Sequence, residues 1–217
     1  MFPQPPRRTT LGVVAGQRRD AVRNRKTLIV AAAEIFREQG AEASLDLVAK
    51  RAHLGRGTLY RHFADRGALL ATLIEERLEL LDGFASRYEG DALLEQLVIE
   101  ICGLLEDLPG LMAVARRFES AREEIDKVTE RTGRLLQMAL SRGQHDGALR
   151  PELTLEDVLT VIAMIDGVIV QAADSPVADL VERAIDLSLR SLRTPDALDR
   201  PGPARTFAFP YPAGDGT

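Results

Sequence analysis

The chain has 217 residues, 45% of them hydrophobic and 28% charged, which is enough to bury a core and too apolar for wholesale disorder. Its one cysteine, Cys102, excludes an intramolecular disulfide and suits a reducing compartment, and its three histidines show no zinc-site spacing, so neither a metal nor a cofactor is expected. The net charge of -5 is uneven: residues 1–66 carry 13 basic and 6 acidic side chains, leaving 15 and 27 for the rest, so a stretch at +7 precedes one at -12. That asymmetry points to a polyanion-binding module joined to an acidic body.

Of the 11 prolines, three fall in the first six residues and five after Thr194. Proline breaks helix interiors, so a body interrupted only by Pro109, Pro151 and Pro176 predicts long helices. Alternating β-branched runs are few, and no internal repeat stands out. The expected architecture is all-α with about nine helices: a three-helix N-terminal head and a larger helical body.

Residues 1–22, rich in proline and arginine, read as a flexible basic arm. Arg7-Arg8 is followed by an apolar run over 11–16 only, shorter than the roughly 7–15 residues of an export signal. The first helix is predicted over 23–39, where Leu28, Ala32, Ile35 and Phe36 share one face and Gly40 ends it. Ser44 is placed to cap a short second helix through Ala52, with Leu45, Val48 and Ala49 inward. His53-Leu54-Gly55 makes a tight turn into a third helix over 56–63, and Asp65 caps a fourth over 66–88. Two short helices joined by such a turn and braced by a preceding helix form a helix-turn-helix.

The third helix supports that reading. Leu59 and Phe63, four apart, mark its buried side. At about 100° per residue, Gly57, Thr58 and Arg61 point away from it, with Tyr60 and His62 on the flanks. Those polar side chains can reach phosphates or base edges, and the glycine lets the backbone come close, as a recognition helix in a major groove requires. Arg18, Arg19, Arg23 and Arg25 precede it, where an arm either crosses the minor groove or stays solvated.

These residues carry a resemblance. Ile35-Phe36-Arg37-Glu38-Gln39-Gly40, Leu47-Val48-Ala49-Lys50-Arg51-Ala52, Gly57-Thr58-Leu59-Tyr60-Arg61-His62-Phe63 and Arg66-Gly67-Ala68-Leu69-Leu70 together resemble the DNA-binding domain of the tetracycline-repressor (TetR) family over residues 25–75. The resemblance implies a cytoplasmic homodimer of all-helical subunits that binds a palindromic operator and answers to a small-molecule effector, usually as a repressor. Carried over, the DNA-binding positions are Ser44, Arg56, Gly57, Thr58, Tyr60, Arg61, His62 and Arg66, with Arg56 in a base-reading place and Arg66 where the family usually has a phosphate-holding lysine. Four positions depart from the pattern. His53 stands for a usual glycine, Gly55 for a capping serine, Leu45 for a common threonine, and Gly67 for a glutamate, the last expected to loosen the fourth helix.

Further helices are predicted over 91–108, 111–119, 122–144, 154–173 and 176–192, with a turn at Gly147-Ala148-Leu149-Arg150-Pro151. The eighth is apolar nearly all round, so it needs cover on more than one side, and with the ninth (Val181, Ile185, Leu189, Leu192) it fits a four-helix dimer interface. By resemblance, an effector pocket lies among helices four to eight, with Phe84, Tyr88, Cys102, Met112, Phe118, Met138 and Asp166 as candidate ligand contacts and Leu97 and Leu135 as further walls. Asp166, a carboxylate in an apolar helix, either receives a cationic group or pairs with an arginine such as Arg134. Phe207, Phe209 and Tyr211 in the Pro/Gly-rich tail suggest a segment that docks on the body or on the partner subunit. The expected divisions are thus an arm at 1–22, a DNA-binding domain at 23–66, a ligand-binding and dimerisation domain at 67–194 and a tail at 195–217.

Enzyme signatures are missing: there is no Gly-x-Ser-x-Gly, no Walker loop, no His-Glu-x-x-His and no Cys-x-x-Cys. Two functions stay open at this point, a ligand-responsive regulator and a helical small-molecule binder whose DNA head is degenerate and non-specific.

Overall fold

The computed structural model describes the backbone of residues 10–172 and 179–199, and side chains from residue 18 onward. Among these residues there are nine α-helices and no strand: α1 (Thr10–Gln39), α2 (Leu45–Arg51), α3 (Arg56–His62), α4 (Arg66–Ala85), α5 (Leu93–Asp107), α6 (Leu111–Ala115), α7 (Glu119–His145), α8 (Leu155–Ala172) and α9 (Leu180–Leu192). The molecule is thus all-α with an N-terminal helix-turn-helix head.

Local signals set most boundaries. Gly40 takes φ +82° and its N–H returns to Phe36 O at 2.9 Å, closing α1 in the left-handed conformation that glycine adopts without strain. Ser44 Oγ accepts from Asp46 N at 3.2 Å at the start of α2, and Asp65 Oδ1 accepts from Ala68 N at 2.9 Å at the start of α4. Thr154 and Asp157 cap α8 reciprocally: Thr154 N donates to Asp157 Oδ2 at 2.8 Å and Asp157 N to Thr154 Oγ1 at 3.3 Å. His53 sits at φ 53°, so the turn keeps the left-handed geometry with histidine in place of glycine.

Two expectations need correction. α1 begins at Thr10, so residues 10–22, read as a loose arm, extend the first helix. No proline follows Pro6 to stop it, and helix once nucleated propagates. Gly67 does not loosen α4. It is buried, and a Cβ there would fall 2.4 Å from Phe118 Cβ and 2.3 Å from Ser120 Oγ, so glycine admits the start of α7 against the start of α4. The ninth helix starts at Leu180; its expected start at Pro176, and the tail aromatics Phe207, Phe209 and Tyr211, lie outside the described residues.

α1, α2, α3 and the first turns of α4 enclose a small core of Leu28, Ala32, Phe36, Val48, Leu59 and Phe63, each at most 1% exposed. α4 then leaves the head and packs along α7, while α5 lies against α4, α7 and α8, and α9 lies on α8. Behind α9, Arg193 holds Glu95 of α5 through two hydrogen bonds, Nε to Oε1 at 2.5 Å and Nη2 to Oε2 at 3.0 Å, both side chains under 10% exposed. A bidentate fork of this kind satisfies both buried charges at once.

Head and body meet through charge. Asp107, at the end of α5, accepts from Arg37 of α1 and from Arg77 of α4, and the Arg77 side chain is only 6% exposed. Arg117 pairs with Glu42 beside this join, and Ser120 Oγ donates to Asp65 Oδ1 at 2.7 Å.

Candidate DNA interface and effector cavity

α3 is seven residues long and hangs on two anchors, Leu59 and Phe63, each 1% exposed. Arg25 of α1 grips its far end: the guanidinium lies 4.6 Å from the centre of the Phe63 ring, and Nη2 donates to Thr72 Oγ1 of α4 at 3.2 Å. Arg25 is therefore a staple of the head and not part of an arm. Arg51, bonded to Glu34 and Glu38, ties α2 to α1 in the same manner.

With that side fixed, the opposite side of α3 is exposed. Gly57 and Arg61 are exposed, Thr58 and His62 half-buried, and Tyr60 is 49% exposed. Arg61 Nη2 donates to Thr58 Oγ1 at 3.2 Å, which holds both on one surface. A Cβ added at Gly55 or Gly57 would meet no heavy atom within 4 Å, and neither has a positive φ. Nothing inside the head demands these glycines; what they keep bare is the outward surface. Ser44, exposed at the start of α2, and Arg56 stand beside it. Arg56 is paired with Asp46 at 2.5 Å, yet its side chain stays 68% exposed and its hold is weak enough for a base edge to compete.

Two of the eight expected DNA contacts are set differently from the outward surface. His62 is half-buried, and burial first, then Arg25 and Arg61, holds its imidazole below its ordinary pKa, so it is neutral near pH 7. Arg66 turns inward: its Nη1 donates to Ala41 O at 2.7 Å and its guanidinium lies 5.9 Å from the centre of the Phe36 ring. In this geometry Arg66 locks the turn between α1 and α2.

The body holds a cavity of about 420 Å³ bounded by α4, α5, α6, α7 and α8. Ile74, Leu78, Leu105, Leu108, Met112 and Ile162 give it apolar walls; Arg77, Arg116, Thr129, Thr132 and Asp166 supply its polar groups. Of the seven expected ligand contacts, Met112 and Asp166 line this cavity. The other five do not. Phe84 and Tyr88 lie against each other, tilted, with ring centres 5.4 Å apart. Phe118 covers Gly67 at the head–body join. Met138 is 53% exposed on the outer side of α7. Cys102 is fully buried behind the wall, and burial, with Glu106 and Asp166 nearby, pushes its thiol up to about 12, which leaves it inert near neutral pH. Leu97 and Leu135 likewise line none of it. The physical reason is common to these positions: apolar periodicity shows that a residue is covered, not whether a neighbour or a cavity covers it.

Asp166 does not meet Arg134, which pairs with Glu130 instead. Its Oδ1 is screened from solvent and has no hydrogen-bond partner among the described residues. Arg77 is a wall residue that the pocket expectation does not include, although its place among Ile74, Leu78 and Leu81 at helical spacing is a signal: a charge on an apolar face needs a buried partner.

Residues 28–73 match the family described as "Bacterial regulatory proteins, tetR family". The chain is 37% identical over 81 residues to an HTH-type transcriptional regulator of Staphylococcus aureus (strain bovine RF122 / ET3-1), covering 33% of this chain and 44% of that protein. It therefore spans less than half the length of the curated relatives it matches. Its fold is similar to that of a TetR-family transcriptional regulator from Agrobacterium tumefaciens, with a TM-score of 0.65 at 14% identity over 80% of this chain and 100% of the other. It is also similar to FadR from Bacillus subtilis, solved in complex with stearoyl-CoA, with a TM-score of 0.59 at 19% identity over 77% and 97% of the two chains.

Proposed function

We infer that this chain, which belongs to the TetR family of bacterial regulatory proteins, is a ligand-responsive regulator that binds a palindromic operator as a homodimer and represses from it. The observation that carries the reading is α3: a helix anchored by Leu59 and Phe63 that offers Gly57, Thr58, Tyr60 and Arg61 outward, with two glycines no internal contact requires. Thr58, Tyr60 and His62 suit phosphates, and Arg56 and Arg61 suit base edges of a major groove. Arg66 acts one step back, by holding the turn that sets α2 against α1. Such a regulator works in the cytoplasm, where its DNA is.

The dimer reading rests on α8 and α9. Val158, Ile165 and Ile169 are buried within the subunit, while Met164 (60% exposed), Val170 (48%) and Leu187 (63%) leave an apolar strip on the outside. A second copy would cover it, and two-fold symmetry would set two α3 helices on half-sites about 34 Å, or a multiple, apart. Met164→Asp is expected to yield a monomer by analytical ultracentrifugation.

The cavity is read as the effector site. Its α4 wall belongs to the helix whose first turn braces the head, and Arg77 on that wall reaches Arg37 of α1 through Asp107. A ligand that shifts α4 would therefore move the head as well.

Selection of bound duplexes from a random pool, then anisotropy of the winner at two salt concentrations, tests the reading. An enriched inverted repeat that outlasts moderate salt is expected. Binding that shows no enrichment and vanishes at moderate salt would leave the degenerate, non-specific head in its place.

A further inference from the structure

The effector cavity contains one ionisable oxygen that the protein does not answer. Asp166 stands on α8 between Ile162 and Ile169, and its Oδ1 is screened from solvent without a hydrogen bond among the described residues. An ionisable oxygen screened from water without a partner is unfavourable, and one in a native structure calls for an explanation. Burial raises the Asp166 carboxyl above its ordinary pKa. Of the two arginines of the same cavity, Arg77 gives its Nη2 to Asp107 and Arg116 is exposed at the rim. Asp166 is the one carboxylate among the described lining residues, which include Arg77 and Arg116, and the rest of the wall is mostly aliphatic.

We propose that the cavity takes a lipophilic amine, its ammonium ion-paired with Asp166 Oδ1 and its hydrocarbon part against α4, α5 and α7. This rests on reading the cavity as the effector site. A volume of about 420 Å³ admits a small molecule of that kind. A carboxylate ligand would meet a like charge at Asp166. A neutral alcohol would satisfy the oxygen but leave the charge.

Three probes with one hydrocarbon frame test the proposal: naphthylethylammonium, naphthylethanol and naphthylacetate, titrated into the full chain and followed by naphthalene fluorescence and calorimetry. The amine is expected to bind at least about tenfold more tightly than the other two, a difference of about 1.4 kcal/mol. Asp166→Asn should erase that preference with alcohol binding and thermal midpoint nearly unchanged, and Asp166→Glu should keep part of it. Equal affinities, a preference for the alcohol or the carboxylate, no binding of the amine, or a preference that survives Asp166→Asn would each overturn the proposal. The assay is independent of DNA. An enriched inverted repeat without amine preference removes the ligand class and leaves the regulator, whereas failure to enrich any repeat removes the regulator.

Discussion

Head and body are built from the same aliphatic residues and both use arginine to tie elements together, as Arg193 does with Glu95 in the body, but they leave different things open. In the head, Arg25, Arg51 and Arg66 each tie one helix to another by hydrogen bonds or by lying over an aromatic ring. These staples leave one surface of α3 free and hold it still. In the body, the aliphatic walls of α4 to α8 stop short of closing, leave a cavity of about 420 Å³, and let a carboxylate stay unanswered within it. One region is anchored and presents a surface; the other encloses a space. The two are joined by polar pairs, and among these the Arg37–Asp107–Arg77 cluster is the most buried.

The largest effect is expected at that cluster. Asp107→Ala strips two guanidinium groups of their shared carboxylate, one of them nearly buried on Arg77. Removing one member of a buried pair is destabilising by about 3–5 kcal/mol, and the partial exposure of Asp107 places this case near about 3 kcal/mol. Urea unfolding measures it. A loss below about 1 kcal/mol would mean that aliphatic contacts alone hold head to body, and the contrast drawn above would fail at the point where the two regions meet.

The next effect separates reading from holding within the head. Arg56→Ala is expected to weaken the selected operator by about 1–3 kcal/mol and to relax one half-site position. It also removes the Arg56–Asp46 pair, but that pair is exposed and its loss should barely move the thermal midpoint. Arg66→Ala should do the reverse: a lower midpoint, and weaker binding to all sequences alike. If Arg66→Ala changed sequence preference, the inward geometry seen at Ala41 would not be the one used on DNA.

The same contrast governs what the sequence discloses. In the head, the elements and the proposed DNA surface share short-range signals. Gly40, Ser44 and Asp65 set helix ends by their own backbone needs, Leu59 and Phe63 mark the buried side of a seven-residue helix, and the outward residues follow by rotation alone. In the body those rules still gave the helices but not the cavity. Whether Phe84 or Met112 faces a void depends on how α4 to α8 sit against each other, which is a sum over contacts distant in sequence. Phe84 met Tyr88, Phe118 met Gly67, and the cavity was left to shorter side chains. Asp166 was legible because its chemistry is out of place in any packing of an apolar helix. Arg25 was misplaced because an arginine ahead of a basic helix-turn-helix suggests a loose arm, while its partners Phe63 and Thr72 lie far along the chain.

A smaller effect carries opposite signs for stability and function. Gly57→Ala places a methyl group where no atom of the protein lies within 4 Å. Alanine is better than glycine in a helix interior by about 0.5–1 kcal/mol and by less in a first turn, where Gly57 stands, so the variant should melt slightly higher. If Gly57 exists to let DNA approach, the same methyl should weaken operator binding. Stability raised with affinity unchanged would show that the groove does not come close at Gly57.

The smallest effect is a pH dependence at His62, and it too has two signs. Burial and the nearby Arg25 and Arg61 lower its pKa in the folded head, so as pH falls the unfolded chain takes up the proton first. Stability therefore declines as pH drops through the ordinary imidazole range and levels off once the folded head is protonated as well. Half-exposure and screening keep the loss below about 1 kcal/mol. A phosphate beside His62 would favour the protonated form, so operator affinity should rise over the same interval in which the free protein loses stability. His62→Gln should flatten both profiles relative to the parent chain. If affinity fell in parallel with stability and the variant kept that slope, His62 would be a packing residue of α3, and the phosphate contacts would have to come from Thr58 and Tyr60 alone.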